Sequence, residues 1–182
     1  MRKTMPPAAV VPPSSQRENS SLTGAVVSRL DDDIDCTSEK VRYMFEWWRR
    51  AAGGLPPYWS QFDITDHPSI IASVFLVKRL AARSWFFTLK GEEVHALFPS
   101  AKTPDSIDGK SDSRWAKDLV DYYEEVAATG RCHMVRGTIT GLYGEEIDIE
   151  SIDCPFREGD FGRMAILGVI EKIAVRPKQA TA

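Results

Sequence analysis

Apolar and polar positions in this chain of 182 residues follow two periods, and each change of period marks a new element. The first clear helical pattern is SEKVRYMFEWWRRAA. Thr37 or Ser38 is positioned to cap it, and Gly53 and Gly54 stop it. Val41, Met44, Phe45, Trp48 and Ala52 fall on one stripe, with Tyr43 and Trp47 lying off it. After the rigid connector GGLPPYWSQFD, the run HPSIIASVFLVKRL reads as a second helix, capped by Asp66 with Pro68 in its first turn. RSWFFTL then switches to a strand with Trp85, Phe87 and Leu89 on one face. A turn at Gly91 leads to EVHALF as a second short strand.

The polar, breaker-rich stretch PSAKTPDSIDGKSD reads as a loop with at most a helical turn. Asp112 or Ser113 is placed to cap the helix RWAKDLVDYYEEVAA, whose stripe is Trp115, Leu119, Tyr122 and Val126 and whose end is Gly130. Three strands follow in CHMVRGTITGLY, EEIDIESIDCPF and GRMAILGVIEKI, the last two joined by a hairpin through REGDFG. In the middle strand Ile147 and Ile149 share one parity, while Ile152, Cys154 and Phe156 share the other. Either a β-bulge near Glu150 and Ser151 brings both sets to one side, or the strand is buried on both faces along part of its length. These elements add up to an α+β fold: a five-stranded antiparallel sheet with the central helix laid across one face.

Composition narrows the classes. A net charge of −3 and a pI of about 5.7 provide no basic field for nucleic acid or an anionic membrane. No apolar run reaches the roughly 20 residues of a bilayer crossing. Residues 1–36, rich in Pro and Ser and ending in the acidic RLDDDID, read as a disordered arm without a signal-peptide core. A helical extension is expected over 37–81, the sheet domain over 82–175 and a tail over 176–182. Cys36, Cys132 and Cys154 form neither a CxxC pair nor an even disulfide set, which points to a reducing cytoplasm.

Between about residues 43 and 172 the chain resembles a PAS sensory domain, in particular the divergent bacterial branch found as single-domain proteins. The resemblance rests on the order and spacing of several motifs. These are the Trp-rich helix with LPPYWSQFDITD and SIIASVFLVKRL, then WFFTLKGEEV with Gly91 at a first hairpin, then SIDGK with Gly109. They continue with the helix from Trp115 to Val126 closed by Thr129 and Gly130, and end with CPF leading through an acidic Gly-containing loop to AILG. Glu92 departs from the family, which usually has a small polar residue after the hairpin glycine. The resemblance implies a curved five-stranded sheet with helices on one face, a ligand space between them, and a sensor or interaction module rather than a catalyst.

The candidate site residues follow from that picture. Trp85, Phe87, Trp115, Leu119, Tyr122, Val126 and Phe156 are expected to converge between sheet and helix. There they either fill the interior or line a mostly apolar pocket with the Tyr122 hydroxyl as a polar handle. Tyr43, Trp47 and Trp48 are candidates for a two-fold dimer contact. His67, His95 and His133 form no metal-ligand pair, and surface or structural roles are expected for them. The central helix has no His to serve as a haem ligand, and no Cys lies between Cys36 and Cys132 for covalent flavin chemistry. Neither cofactor is expected. Cys132 and His133 are strand neighbours that point to opposite faces, so burial is the expected state of Cys132 and Cys154.

The expected function is a cytoplasmic, non-catalytic sensory or regulatory module of bacterial signal transduction that binds a small-molecule signal or a partner protein. Its output would pass to a partner protein, such as a kinase or regulator. The alternative is a small α+β cone enzyme with an acid–base site in its cavity mouth. An inward Asp–His pair with a perturbed pKa would favour the enzyme, and an interior of rings and aliphatics alone would favour the sensor.

Overall fold

In the computed structural model of the chain, the described residues are 23–29, 35–97, 106–110, 114–141, 143–159 and 163–177. The elements run β1 (Thr23–Arg29), α1 (Glu39–Ala52), β2 (Val74–Ala81), β3 (Ser84–Lys90), α2 (Glu92–Leu97), β4 (Ser106–Asp108), α3 (Arg114–Thr129), β5 (His133–Thr140), β6 (Glu146–Glu158) and β7 (Arg163–Arg176). The class is α+β, as expected. All strand pairs in the sheet are antiparallel, in the order β1-β5-β6-β7-β2-β3-β4, so there are seven strands rather than five. The additions are the edge strands. β1 lies within the stretch read as a disordered arm, and β4 lies within the stretch read as a loop.

Two elements differ in type from their sequence reading. HPSIIASVFLVKRL is not a helix. It makes a short 3₁₀ turn at Ile71–Ser73 and then becomes β2, a central strand between β3 and β7. Val74 and Leu76 are buried on one face while Phe75 and Val77 are buried on the other. A strand covered on both sides loses its period of two, and the apolar run it leaves cannot be told from a buried helix by pattern. EVHAL, in turn, is helix α2 rather than a strand, with Glu92 and Glu93 in its first turn and Val94 and Leu97 buried. The first hairpin is therefore β2–β3, turning at Ala82 and Arg83, and Gly91 is not its turn. Gly91 donates its N–H to the Val74 carbonyl at 2.7 Å, and a Cβ there would come within 2.3 Å of the Ala72 oxygen. Close backbone approach is the reason for glycine at this position.

The sheet is covered on both faces, not one. α1 lies on the face formed by Val74, Leu76, Ile152, Cys154, Phe156, Ala165, Leu167 and Val169, burying Val41, Met44, Phe45 and Trp48. α3 and α2 lie on the opposite face, over Phe75, Val77, Trp85, Ile139, Ile147, Ile149, Ile166 and Ile170. This decides the question posed by β6. Ile147 and Ile149 face α3, whereas Ile152, Cys154 and Phe156 face α1, so the strand is buried on both sides. Its irregularity falls at Asp148/Ile149 in the pairing with β7 and does not merge the two sets.

α1 is anchored by more than its stripe. Ser38 is the N-cap and accepts from Val41 N at 3.1 Å, and Gly53 closes the helix in the left-handed region at φ 52°. Glu150, fully buried on β6, accepts from the backbone N–H of Ser38 at 2.8 Å and of Thr37 at 3.1 Å. Arg136 Nε donates to the same carboxylate at 2.9 Å. A buried carboxylate at a helix N-terminus, with three donors, is stabilised by both the hydrogen bonds and the helix dipole. Trp48 Nε1 donates to the Pro155 carbonyl at 2.7 Å.

Candidate functional site

α3 carries two overlapping apolar series, offset by one residue. The stripe actually buried is Ala116, Val120, Tyr123 and Val126, which corrects the expected Trp115, Leu119, Tyr122 and Val126. Leu119 and Tyr122 flank the buried stripe and are partly buried, and the Trp115 side chain lies outside the described residues. So do the expected caps Asp112 and Ser113. Periodicity alone cannot choose between two such series. The choice is made by Trp85, whose ring packs 5.6 Å from that of Tyr123, with Phe87 at 6.4 Å from the same ring.

Of the seven expected pocket residues, Trp85, Val126, Phe87, Leu119 and Tyr122 do share the layer under α3. Phe156 does not, because its strand parity places it on the α1 face. There it belongs to an aromatic group with Trp47 (stacked, 6.0 Å), Trp59 (edge-on, 5.6 Å) and Phe62 (edge-on, 6.0 Å). His67 completes that group. It is buried rather than on the surface, stacks on Phe62 at 4.5 Å, and its Nδ1 hydrogen-bonds the Tyr43 hydroxyl at 2.7 Å. The candidate dimer residues are thus largely engaged within the chain. Trp48 is buried, Trp47 is half-buried against Phe62 and Phe156, and Tyr43 remains 36% exposed.

Inside the apolar layer under α3 sits a compact polar cluster. His133 on β5 and Asp153 on β6 are directly opposite each other across the ladder. Both are buried, at 0% and 3% exposure. The Tyr122 hydroxyl of α3 donates to Asp153 Oδ2, and the Tyr122 ring lies edge-on to His133 at 5.9 Å. At the end of α3, Thr129 Oγ1 donates to the Val126 carbonyl and lies 3.1 Å from His133 Nε2. With the hydroxyl proton committed to Val126, His133 Nε2 is the donor of that pair. Asp153 Oδ1 has no hydrogen-bond partner among the described residues. Burial raises the Asp153 carboxyl from 3.8 to about 7, the Tyr122 bond pulling the other way. Burial also raises the Tyr122 and Tyr123 phenols well above their ordinary range.

The other histidine, His95, is exposed on α2. No group of three metal-ligating side chains occurs among the described residues, and no helix there is long and apolar enough to cross a membrane. Cavities of about 280 and 320 Å³ lie among the described residues. The first lies beside Arg136, Asp148 and Glu150, and the second beside Ile64, Ile71, Leu89 and Gly91. Neither is lined by His133, Asp153 or any of the seven expected pocket residues.

Sequence reasoning missed both buried carboxylates, Glu150 and Asp153. The signal was present. Apolar residues of both parities in IDIESIDCPF imply two-sided burial, and two-sided burial places the carboxylates between them inside the protein. Comparison of the chain with protein-family models, with curated proteins and with solved structures finds no match.

Proposed function

We propose that the chain is a non-catalytic sensory or regulatory module of the PAS type, acting in bacterial signal transduction. Its inputs would be a small-molecule signal or contact with a partner protein, with output to a partner such as a kinase or regulator. The observation that carries this reading is the mounting of α3. Five contiguous antiparallel strands, β5-β6-β7-β2-β3, support a helix that packs mainly by apolar contact, is tied to β2 and β3 through Glu124, and reaches the buried acid of β6 through Tyr122. A sensor needs an element with two arrangements of similar energy. A helix held through a buried, incompletely satisfied carboxyl is such an element, because a proton, a ligand donor or a partner contact at Asp153 changes its attachment.

Native mass spectrometry of the protein purified gently from its own host tests the reading. A retained small molecule or a co-purifying protein is the expected result, and a bare, unaccompanied chain would overturn it. Assembly as a homodimer belongs to the same proposal. Trp47→Glu would also break the Trp47–Phe156 stack and Tyr43→Glu the bond to His67, so each variant is read by sedimentation beside a check that the domain stays folded. Sedimentation of the wild type as a monomer at micromolar concentration removes the dimer.

The acid–base enzyme remains as a second reading because Asp153 and His133 form an inward pair with a carboxyl raised to about 7. A substrate would have to reach them, and both side chains are buried, at 0% and 3% exposure. Carbethoxylation of the histidines at neutral pH separates the two readings. His133 reacting as fast as the exposed His95 supports an open site, and protected His133 supports the sealed module.

A further inference from the structure

On the reverse side of the strands that carry His133 and Asp153 lies a second pair. Cys132 and Cys154 sit one step along the same β5–β6 ladder, facing α1. Both are free thiols and buried, and their sulfurs are 3.0 Å apart, with Cys132 Sγ donating to Cys154 Sγ. The third cysteine, Cys36, is also buried in the apolar cluster on the α1 face, and its carbonyl accepts from Arg42 at 2.7 Å.

We propose that Cys132 and Cys154 are a reversible oxidation site, closed to a disulfide by a low-molecular-weight peroxide. We further propose that closing it is an input to the sensory module, passed to α3 through the His133–Asp153 pair. The second part rests on the sensory reading above, while the first stands on the geometry of the two thiols.

The chemistry balances in two steps. Cys154 receives the hydrogen bond, which favours its thiolate, whereas Cys132 as donor keeps its proton. The Cys154 thiolate attacks one peroxide oxygen, forming a sulfenic acid and, with one proton, releasing water. Cys132 sulfur then attacks Cys154 sulfur, the S–O bond breaks, and the thiol proton leaves with hydroxide as a second water. Two thiols lose two electrons in total, and one peroxide gains them. Burial raises both thiols, so attack is slow while they stay buried.

Bond formation draws the sulfurs from 3.0 Å to about 2.05 Å. Each cysteine is covalently next to a member of the polar cluster, Cys132 to His133 and Cys154 to Asp153. In a close-packed sheet that displacement is not absorbed locally. It re-aims Asp153 against Tyr122 and His133 against Thr129, two of the contacts that tie α3 to the sheet.

The experiment treats the full chain with hydrogen peroxide, then reads peptide masses and amide hydrogen exchange, before and after reduction with dithiothreitol. The expected product is one Cys132–Cys154 cross-linked peptide, lighter by two hydrogens, with Cys36 still a thiol. Exchange in the α3 segment Val120–Thr129 should rise several-fold and return on reduction. Cys132→Ala and Cys154→Ala should each abolish the cross-link and the exchange response. If either fails to fold, the wild-type peptide map decides. Overoxidation without a cross-link, or a cross-link through Cys36, would overturn the oxidation site, and a Cys132–Cys154 disulfide with unchanged α3 exchange would overturn its coupling to α3. None of these outcomes depends on whether a small molecule or partner co-purifies, so the sensory reading can fail or survive separately.

Discussion

The two faces of the sheet hold their helices in different ways. On the α1 face the helix is capped by Ser38, its N-terminal amides are received by Glu150, and Trp48 is both buried and hydrogen-bonded. Lys40 adds an outer link, contacting Glu93 at 2.9 Å and Glu171 at 3.3 Å. Glu150 has partners on both of its oxygens. On the α3 face the helix rests on rings and aliphatics, Glu124 bonds Arg79 and Trp85, and the buried acid beneath the helix, Asp153, has one oxygen without a partner among the described residues. A buried polar group that is fully paired fixes one arrangement, whereas one that is partly paired leaves another arrangement near in energy. On the proposed reading the α1 face is the rigid side of the molecule, and the α3 face is the side that responds.

That contrast can be broken first on the rigid side. Trp48→Ala should cost about 3–5 kcal/mol, the range for truncating a buried aromatic residue, and should lower the denaturation midpoint more than Tyr122→Phe under α3. A smaller loss than that of Tyr122→Phe would reverse the assignment of rigid and responsive faces. Next comes pH. Asp153 has its carboxyl raised in the folded state, so the folded protein binds more protons than the unfolded one between about 3.8 and 7. Its contribution to stability is present at the acid end of that window and is lost as pH rises through it. Urea titrations of the wild type should show this decline. Asp153→Asn should flatten it, and a variant keeping the full slope would exclude Asp153 as the group responsible.

Tyr122→Phe removes the donor and leaves both Asp153 oxygens unpaired. The expected cost is about 1–3 kcal/mol, with faster hydrogen exchange in α3 and none in α1. Equal acceleration in both helices would mean that the two faces are not independent. The smallest effect is Ser38→Ala, about 1 kcal/mol from the lost cap, read as fraying of the first turn of α1 in the same exchange experiment.

The region around the β2–β3 hairpin shows why parts of the fold resist reading from sequence. Its turn contains Arg83 at φ 58°, a conformation that costs a non-glycine residue about 1 kcal/mol. No Gly or Asn announces it. The contacts that hold it come from distant elements: Glu124 of α3 accepts the Arg83 N–H at 2.9 Å, and the Arg83 carbonyl accepts from Gly109 at 2.9 Å. Local turn chemistry could not reveal a turn that is stabilised tertiarily.

By itself, the sequence determined the elements whose signals are local. α1 with its Ser38 cap and Gly53 stop is one, and α3 ending at Gly130 is another. The strands β3, β5, β6 and β7 and the α+β class complete the set. Only the tertiary structure decided which of two overlapping stripes of α3 is buried, and that VFLV is a central strand. It alone put Phe156 on the opposite face from Trp85, and it alone brought His133, Asp153 and Tyr122 together. The physical reason is common to all four. Periodicity records which side chains share a face of one element, but burial on both faces erases the period, and only packing against a second element says which face meets which neighbour.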